Sequence, residues 1–195
     1  MSETQDGDSD DNDDGIVRLP PGDTSLKGIA REGGDFMFAR LAGVDMSDAD
    51  FYWGMFHGAV LEGAIMVRID LRGATLDRAN LRGADMRQAD CGLDNLGGRT
   101  DFIKADLSGA NLSRAEIDGA DFTGALLIGA NLSDVRGKSA PHAPTCFNGA
   151  NLTNARLSGA ELEGATYDAN TIFPRGFRPE KAGMVMKAKK KRGKT

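Results

Sequence analysis

The residues that could do chemistry are few and scattered. The 195-residue chain has two histidines and two cysteines. His57 follows Phe56, and His142 lies between Pro141 and Pro144. Neither stands at metal-ligand spacing from a cysteine or carboxylate, so both read as surface residues. Cys91 falls where the local pattern puts a large apolar residue inward, an ordinary use of a small hydrophobe. Cys146 borders the proline-flanked segment and is expected to be more exposed. No base can be assigned to either thiol, which leaves nucleophilic catalysis unsupported. Gly97-Gly98-Arg99-Thr100 resembles a phosphate loop only superficially, because the G-x-x-x-x-G-K-S/T order and the strand-to-helix setting are missing. Asp35, Asp45, Asp50, Asp70, Asp85, Asp90, Asp101, Asp106 and Asp121 each stand immediately before a large apolar residue or its cysteine substitute. They read as a repeated short polar side chain that bonds backbone at a corner, not as paired catalytic carboxylates. The reading is of a protein that is not an enzyme and takes no cofactor or metal.

What must position these residues is a repeat. Between Asp106 and Leu132 a large apolar residue returns every fifth position, as Leu107, Leu112, Ile117, Phe122, Leu127 and Leu132. Two residues before each stands an alanine, from Ala105 to Ala130. A period of five fits neither a helix (about 3.6) nor a flat strand (about 2). Such an internal repeat settles the architecture before any local propensity does. The same spacing runs back from Leu96 to Phe36 and slips by one residue before Phe102, with Gly97 to Thr100 absorbing the slip as a bulge would. A segment without the pattern, 134–146, interrupts it. It resumes at Phe147, Leu152, Leu157, Leu162 and Tyr167, for about 25 units in all.

Composition agrees. Aromatic residues make up only 6% of the chain while glycine numbers 26, which suits a narrow repetitive core better than a bulky one. The net charge of −5 conceals an asymmetry. Residues 1–34 carry nine acids and three bases, and residues 173–195 carry nine bases and one acid. The organisation expected is an acidic disordered tail at 1–15, a cap segment at 16–34 that covers the open first coil, the repeat at 35–172 with its loop at 134–146, and a C-terminal cap with a basic tail at 173–195. Arg178-Pro179-Glu180 could open a short helix with proline at its first position. No apolar run approaches the roughly 20 residues that span a bilayer, and the acidic start is unlike a secretory signal, so a cytoplasmic setting is the expectation.

The A-(D/N)-L-x-x units, such as Ala110-Asn111-Leu112-Ser113-Arg114, resemble those of the pentapeptide repeat proteins, and the close from Ala165 to Met184 is similar to the way many members end. The resemblance covers 35–172. It implies an all-β, right-handed, quadrilateral β-helix with four units per coil and about six coils, a solenoid about 30 Å long at about 4.8 Å per coil. In such a coil the large residues stack in ladders, for example Phe36 over Phe56 over Leu76 over Leu96. Glycines after the large residue, such as Gly63 and Gly129, suit corners of unusual backbone angle. A homodimer through the C-terminal coil is also familiar for the family.

Candidate binding residues are those the repeat does not explain. Met37, Phe38, Tyr52, Trp53, Met55, Val60, Ile65 and Val67 fall on outward positions of the first coils. Clustered exposed apolar surface marks an interface, unless residues 16–34 fold back over it. With Arg136, Lys138 and His142 in the loop, Met37, Phe38, Tyr52, Trp53, Met55 and His57 make up the expected surface for a protein partner. Arg68, Arg72, Arg78, Arg82 and Arg87 alternate with acids and read as a mixed solvated surface. Lys187, Lys189, Lys190, Lys191 and Arg192 are the better candidates for an anionic partner, nucleic acid or membrane. The favoured function is a protein-binding scaffold. The alternative is a DNA mimic that binds DNA gyrase, suggested by family members that carry such loops; it predicts an acidic stripe along the rod.

Overall fold

The computed structural model describes residues 25–138 and 142–188. The expected tail at 1–15, the first part of the expected cap (16–24) and the basic end at 189–195 lie outside the described residues. Where the pattern is regular, the backbone pairs with itself twenty residues on, through isolated parallel bridges such as Asp35 with Met55, Arg40 with Val60, Asp45 with Ile65 and Asp50 with Asp70. Each turn of this β-helix therefore takes four five-residue units. Within a unit the small residue's N–H donates to the preceding large residue's carbonyl, as from Ala39 to Phe36 at 3.0 Å. The second residue after the large one has positive φ, at Gly63 as at Arg114 (64° and 61°), which is why glycine is frequent there.

Large residues stack along the axis in four columns. The first is Phe36, Phe56, Leu76, Phe102, Phe122 and Phe147; the second Leu41, Leu61, Leu81, Leu107, Leu127 and Leu152; the third Met46, Met66, Met86, Leu112 and Leu132; the fourth Phe51, Leu71, Cys91, Ile117, Gly137 and Leu162. Phe36 and Phe56 stack at 5.0 Å, and Phe102, Phe122 and Phe147 at 4.9 and 5.2 Å. The small residues, mostly alanine, are buried between them. Burying a Leu or Phe side chain contributes about 1.5–3 kcal/mol, so a charge at any of these positions would break the ladder.

Three expectations change. Residues 25–34 do not cover the first coil: Ser25 bridges Asp45 and Ala30 bridges Asp50, so the coil already runs through them. Leu96 is not a ladder residue. It is 85% exposed, and Leu76 stacks on Phe102 instead. The bridges there jump twenty-six residues, Thr75 to Asp101 and Asp90 to Glu116, so the chain makes an eight-residue excursion over 92–99 where two residues would serve. The coincidence of Leu96 five residues after Cys91 disguised that excursion as a slip of one. The second interruption is narrower than 134–146. Val135 is buried and Arg136 bridges both Glu116 and Glu161, so the coil holds to Gly137 and departs only over 138–144.

Both excursions leave the fourth column and return to the first through a buried threonine in place of alanine. Thr100 Oγ1 donates to Leu71 O at 2.8 Å. Thr145 Oγ1 lies 3.0 Å from Ile117 O and 3.2 Å from Gly137 O, and accepts the Gly119 N–H at 3.0 Å. At the second break the hydroxyl thus takes the Gly119 N–H in place of the backbone carbonyl that the departing chain removes. At the far end β1 (Thr166–Tyr167) pairs in parallel with β2 (Val185–Met186), joined through a 3₁₀ turn at Pro179–Ala182 that has the expected proline at its start. Tyr167 donates to Glu180 Oε1 at 2.8 Å and packs edge-on against Phe173.

Candidate functional site

The aspartates before the large residues do the corner work expected of them. Asp45, Asp50, Asp106 and Asp121 accept the N–H two residues on, at 2.9–3.0 Å. This Asx geometry holds the turn. Asp101 breaks the rule. The N–H of Ile103 goes to Asp77 Oδ1 at 3.0 Å, and Arg99, carried in by the first excursion, pairs with Asp121 at 3.1 Å. Asp101 Oδ1 is left buried without a partner. Burial, then the charges of Asp77 and Asp121, push its pKa up to about 6 against the pull of Arg99.

The aromatic first coils divide in two. Tyr52 and Trp53 are not a free surface: the first excursion closes on them through Asp94. The Asp94 carboxylate is almost wholly buried. Its Oδ2 accepts Tyr52 O–H at 3.1 Å and Trp53 Nε1–H at 2.9 Å; its Oδ1 accepts the Leu96 and Gly98 N–H groups at 2.8 and 2.5 Å. Desolvation raises the Asp94 pKa, but these four donors outweigh it and hold the group below the ordinary carboxylate range. Gly98 is required at the seam, since a Cβ there would stand 2.7 Å from both the Trp53 ring and the Asp94 carboxylate. Arg72 sits over the Tyr52 ring at 5.6 Å, bound to Asp70 at 2.5 Å and Asp90 at 3.4 Å. The covering segment is thus 92–99 and not the 25–34 part of the expected cap.

Met37, Phe38 and Met55 stay open, at 39%, 56% and 39% exposure. They share the first column's outer side, where Asp35 bridges Met55 and Phe38 meets His57 edge-on at 5.6 Å. The Phe38 ring lies over Gly58. Trp53, still 45% exposed, flanks Met55 across the corner made by Gly54. These residues form one apolar surface on the first coils, with Val60 and Ile65 exposed beyond it.

The loop residues are not gathered into that surface. Arg136 pairs with Glu116, and Lys138 with Glu163 at 3.0 Å, on the fourth column's outer side. His142 is exposed, whereas Cys146, expected to be the more accessible thiol, is buried with its Sγ 3.3 Å from Pro144 O. Burial pushes the Cys91 thiol far up. Lys187 is exposed, and Lys189, Lys190, Lys191 and Arg192 lie outside the described residues. The arginines of 68–87 form the mixed surface expected: Arg68 pairs with Asp48, Arg82 with Asp106 and Arg87 with Asp85. Among the described residues Arg78 has no such partner. Asp94 does not stand out as a site residue in the sequence, because the five-residue register runs through it unbroken to Leu96. The signal was present, since an aspartate occupies what would be the alanine position before Leu96.

One outer column is acidic along the rod. Asp50, Asp70, Asp90 and Glu116 bridge in succession, then Arg136, then Glu161.

Residues 56–90, 98–134 and 145–166 match the family model described as pentapeptide repeats, in eight copies. A pentapeptide repeat protein from Nostoc PCC 7120 is 33% identical, with 68% of this chain and 84% of that one covered and a TM-score of 0.35. A pentapeptide repeat protein from the Arabidopsis thaliana thylakoid lumen is 30% identical over 62% of this chain and 75% of that one, with a TM-score of 0.45. A trypsin-treated variant of QnrB1, a plasmid-mediated fluoroquinolone resistance protein, is 15% identical over 84% and 86% of the two chains, with a TM-score of 0.51, a likeness of fold alone. None of the curated proteins compared matches the chain.

Proposed function

The chain belongs to the pentapeptide repeat family, and from that premise we propose that it is a non-enzymatic docking protein whose first coils bind a protein partner. The right-handed, four-sided cross-section with about six coils belongs to this reading, supported by the twenty-residue bridge spacing. One observation carries the functional proposal: among the described residues, Met37, Phe38 and Met55 form an open apolar surface on a rod whose other large apolar residues are mostly turned inward. Exposed apolar area of this kind costs solubility unless it is buried by contact. Trp53, fixed by Asp94, is a pre-oriented aromatic at its edge, the type of residue that dominates binding energy at interfaces. The partner's chemistry follows: an apolar anchor that fits between Phe38 and Met55.

The test is affinity capture from native lysate with three baits: the unaltered chain, a Phe38→Ser/Met55→Ser variant, and a Leu96→Ser variant. The reading expects a partner held by the first and third and lost by the second. A partner held equally by all three contradicts it.

A second reading, a DNA mimic acting on a topoisomerase, is favoured by the acidic column from Asp50 to Glu161. Its acids recur about every 4.8 Å along the rod. Arg72 and Arg136, which neutralise Asp70, Asp90 and Glu116, weigh against it. A gyrase supercoiling assay with neither inhibition nor protection would end it.

A further inference from the structure

The third column's corner carries side chains where the second column's carries glycine. Arg68, Gln88 and Arg114 stand there in successive coils, against Gly63, Gly83 and Gly109 one side earlier. The backbone brings them into line: the Arg68 N–H donates to Arg87 O, and the Gln88 N–H to Ser113 O. With Arg87 and Ser113, the residues just before Gln88 and Arg114, they line a groove of about 440 Å³ that crosses three coils. The lining is rich in unused donors. Arg68 gives Nε and Nη2 to Asp48, at 2.6 and 2.8 Å, and Arg87 gives the same pair to Asp85, at 2.8 and 2.7 Å. A guanidinium holds five N–H donors in a rigid fork, so each arginine keeps its Nη1 donors while a carboxylate fixes its plane. Among the described residues, the side chains of Gln88, Ser113 and Arg114 have no hydrogen bond or ion pair. Asp134 is the one carboxylate in this lining, and its Oδ1 lies over Gly159, one coil further on.

We infer that this groove binds the phosphoryl group of a small phosphate ester. Arg114 supplies a cation that no carboxylate offsets. Arg68 and Arg87 supply donors already held in place, and Gln88 and Ser113 supply neutral ones. This arrangement suits a phosphoryl group better than a carboxylate. A carboxylate presents two oxygens in one plane, which a single guanidinium fork satisfies. A phosphoryl group presents three acceptor oxygens and close to two negative charges. Donors from three coils, about 4.8 Å apart, can reach those oxygens from separate directions. The groove has room beyond one phosphoryl group, and the half-buried Val67 gives the ester's organic part an apolar margin. Asp48 and Asp85 stand behind two of the three arginines, so binding rests chiefly on Arg114 and weakens with salt. Arg78 and Lys104 are as exposed as Arg114, but they lie on the first column's corner and do not belong to this groove. The site is separate from Met37, Phe38 and Met55, and it stands whether or not the first coils receive a protein partner.

The test is an NMR titration of the full chain with three probes in turn: inorganic phosphate, glycerol 2-phosphate and acetate. Ionic strength is held constant, above about pH 7, where phosphate is mostly dianionic. Both phosphates should give saturable shifts at the amides of Gln88, Ser113 and Arg114, while Arg78 and Lys104 stay unmoved and acetate does not saturate. An Arg114→Gln variant should bind both phosphates about tenfold more weakly or worse, the scale of a hydrogen bond to a charged group. Arg78→Gln should change nothing. Both substituted side chains are exposed, and unshifted signals from the buried alanines will show that the variants are folded. Shifts that never saturate, equal shifts at Arg78 and Lys104, or indifference to Arg114→Gln overturns the inference. Saturation by acetate to the same degree overturns it by making the groove a carboxylate site. Saturation by inorganic phosphate but not by the ester overturns it by assigning the groove to the free anion.

Discussion

The two excursions leave the same column two coils apart and return in the same way, yet they do different things. The first, 92–99, turns back onto the rod and spends a buried carboxylate on two aromatic side chains of the first coils. The second, 138–144, is held at its ends by exposed ion pairs of Arg136 and Lys138 and by a threonine that meets three backbone groups. An insertion in a solenoid can therefore latch onto side chains of earlier coils or be anchored only where it leaves and rejoins the wall. The sequence feature that separates them is what stands three residues after the last wall residue: Asp94 after Cys91 in one, Ala140 after Gly137 in the other. The latch matters for function because it withdraws Tyr52 from the apolar surface and fixes the angle of Trp53, leaving Met37, Phe38 and Met55 as the open part.

The sharpest way to break the comparison is to remove the ladder residue onto which each excursion returns. Phe102→Ala and Phe147→Ala should each cost about 3–5 kcal/mol, because both rings are fully buried in one stack. Denaturant unfolding at fixed temperature reads this, and a loss near zero at either site would mean that the coil re-registers around its excursion. Next in size are the threonines. Thr145→Val should cost about 1–3 kcal/mol by stranding the Gly119 N–H, and Thr100→Val should cost less, since the Thr100 hydroxyl meets only one carbonyl. The reverse order would show that the hydroxyls are not what closes the breaks.

A smaller effect depends on pH. Asp101 has a folded pKa near 6, above the ordinary 3.8 of an aspartate. The fold thus disfavours its ionised form, and the cost is present in full above about pH 6 and gone below about 4. Stability should rise as pH falls through that window, and Asp101→Asn should raise stability at pH 7 while flattening this part of the profile. Thermal unfolding from pH 4 to 8 decides it; an unchanged profile in the variant would place the titration elsewhere. Smallest of all, Leu96→Ser should shift stability by less than about 0.5 kcal/mol, because the side chain touches little. A larger loss would restore Leu96 to the ladder.

Most of the fold was legible because it is repetitive. One large and one small inward residue per five, with a short acid before the large one, encodes the coil many times over, so single departures do not obscure it. What stayed hidden is non-repetitive. A five-residue spacing has no memory of whether a unit is in the wall or outside it, so Leu96 passed as a wall residue. The second loop is narrower than its letters suggest for the opposite reason: Val135, Arg136 and Gly137 lack the repeat's letters but keep its geometry, with Gly137 in the slot of a large residue beside Ile117. The aromatic cluster was legible as a departure, but its cover was not, since Asp94 lies 41 residues from Trp53 in sequence and nothing local joins them. Whether an arginine meets a carboxylate one coil away is decided by the twenty-residue winding and by the six residues that the first excursion adds to it.

The central claim, that the chain's own excursion holds the aromatic pair and so defines what is left open, rests on the Trp53 indole. Hydrogen exchange of its Nε1–H, followed by NMR in the unaltered chain and in an Asp94→Ala variant, tests it directly. The account predicts slow exchange in the first and fast exchange in the second, with the Leu96 and Gly98 amides losing protection together with the indole. Fast exchange in the unaltered chain, or an indole indifferent to Asp94, would contradict it.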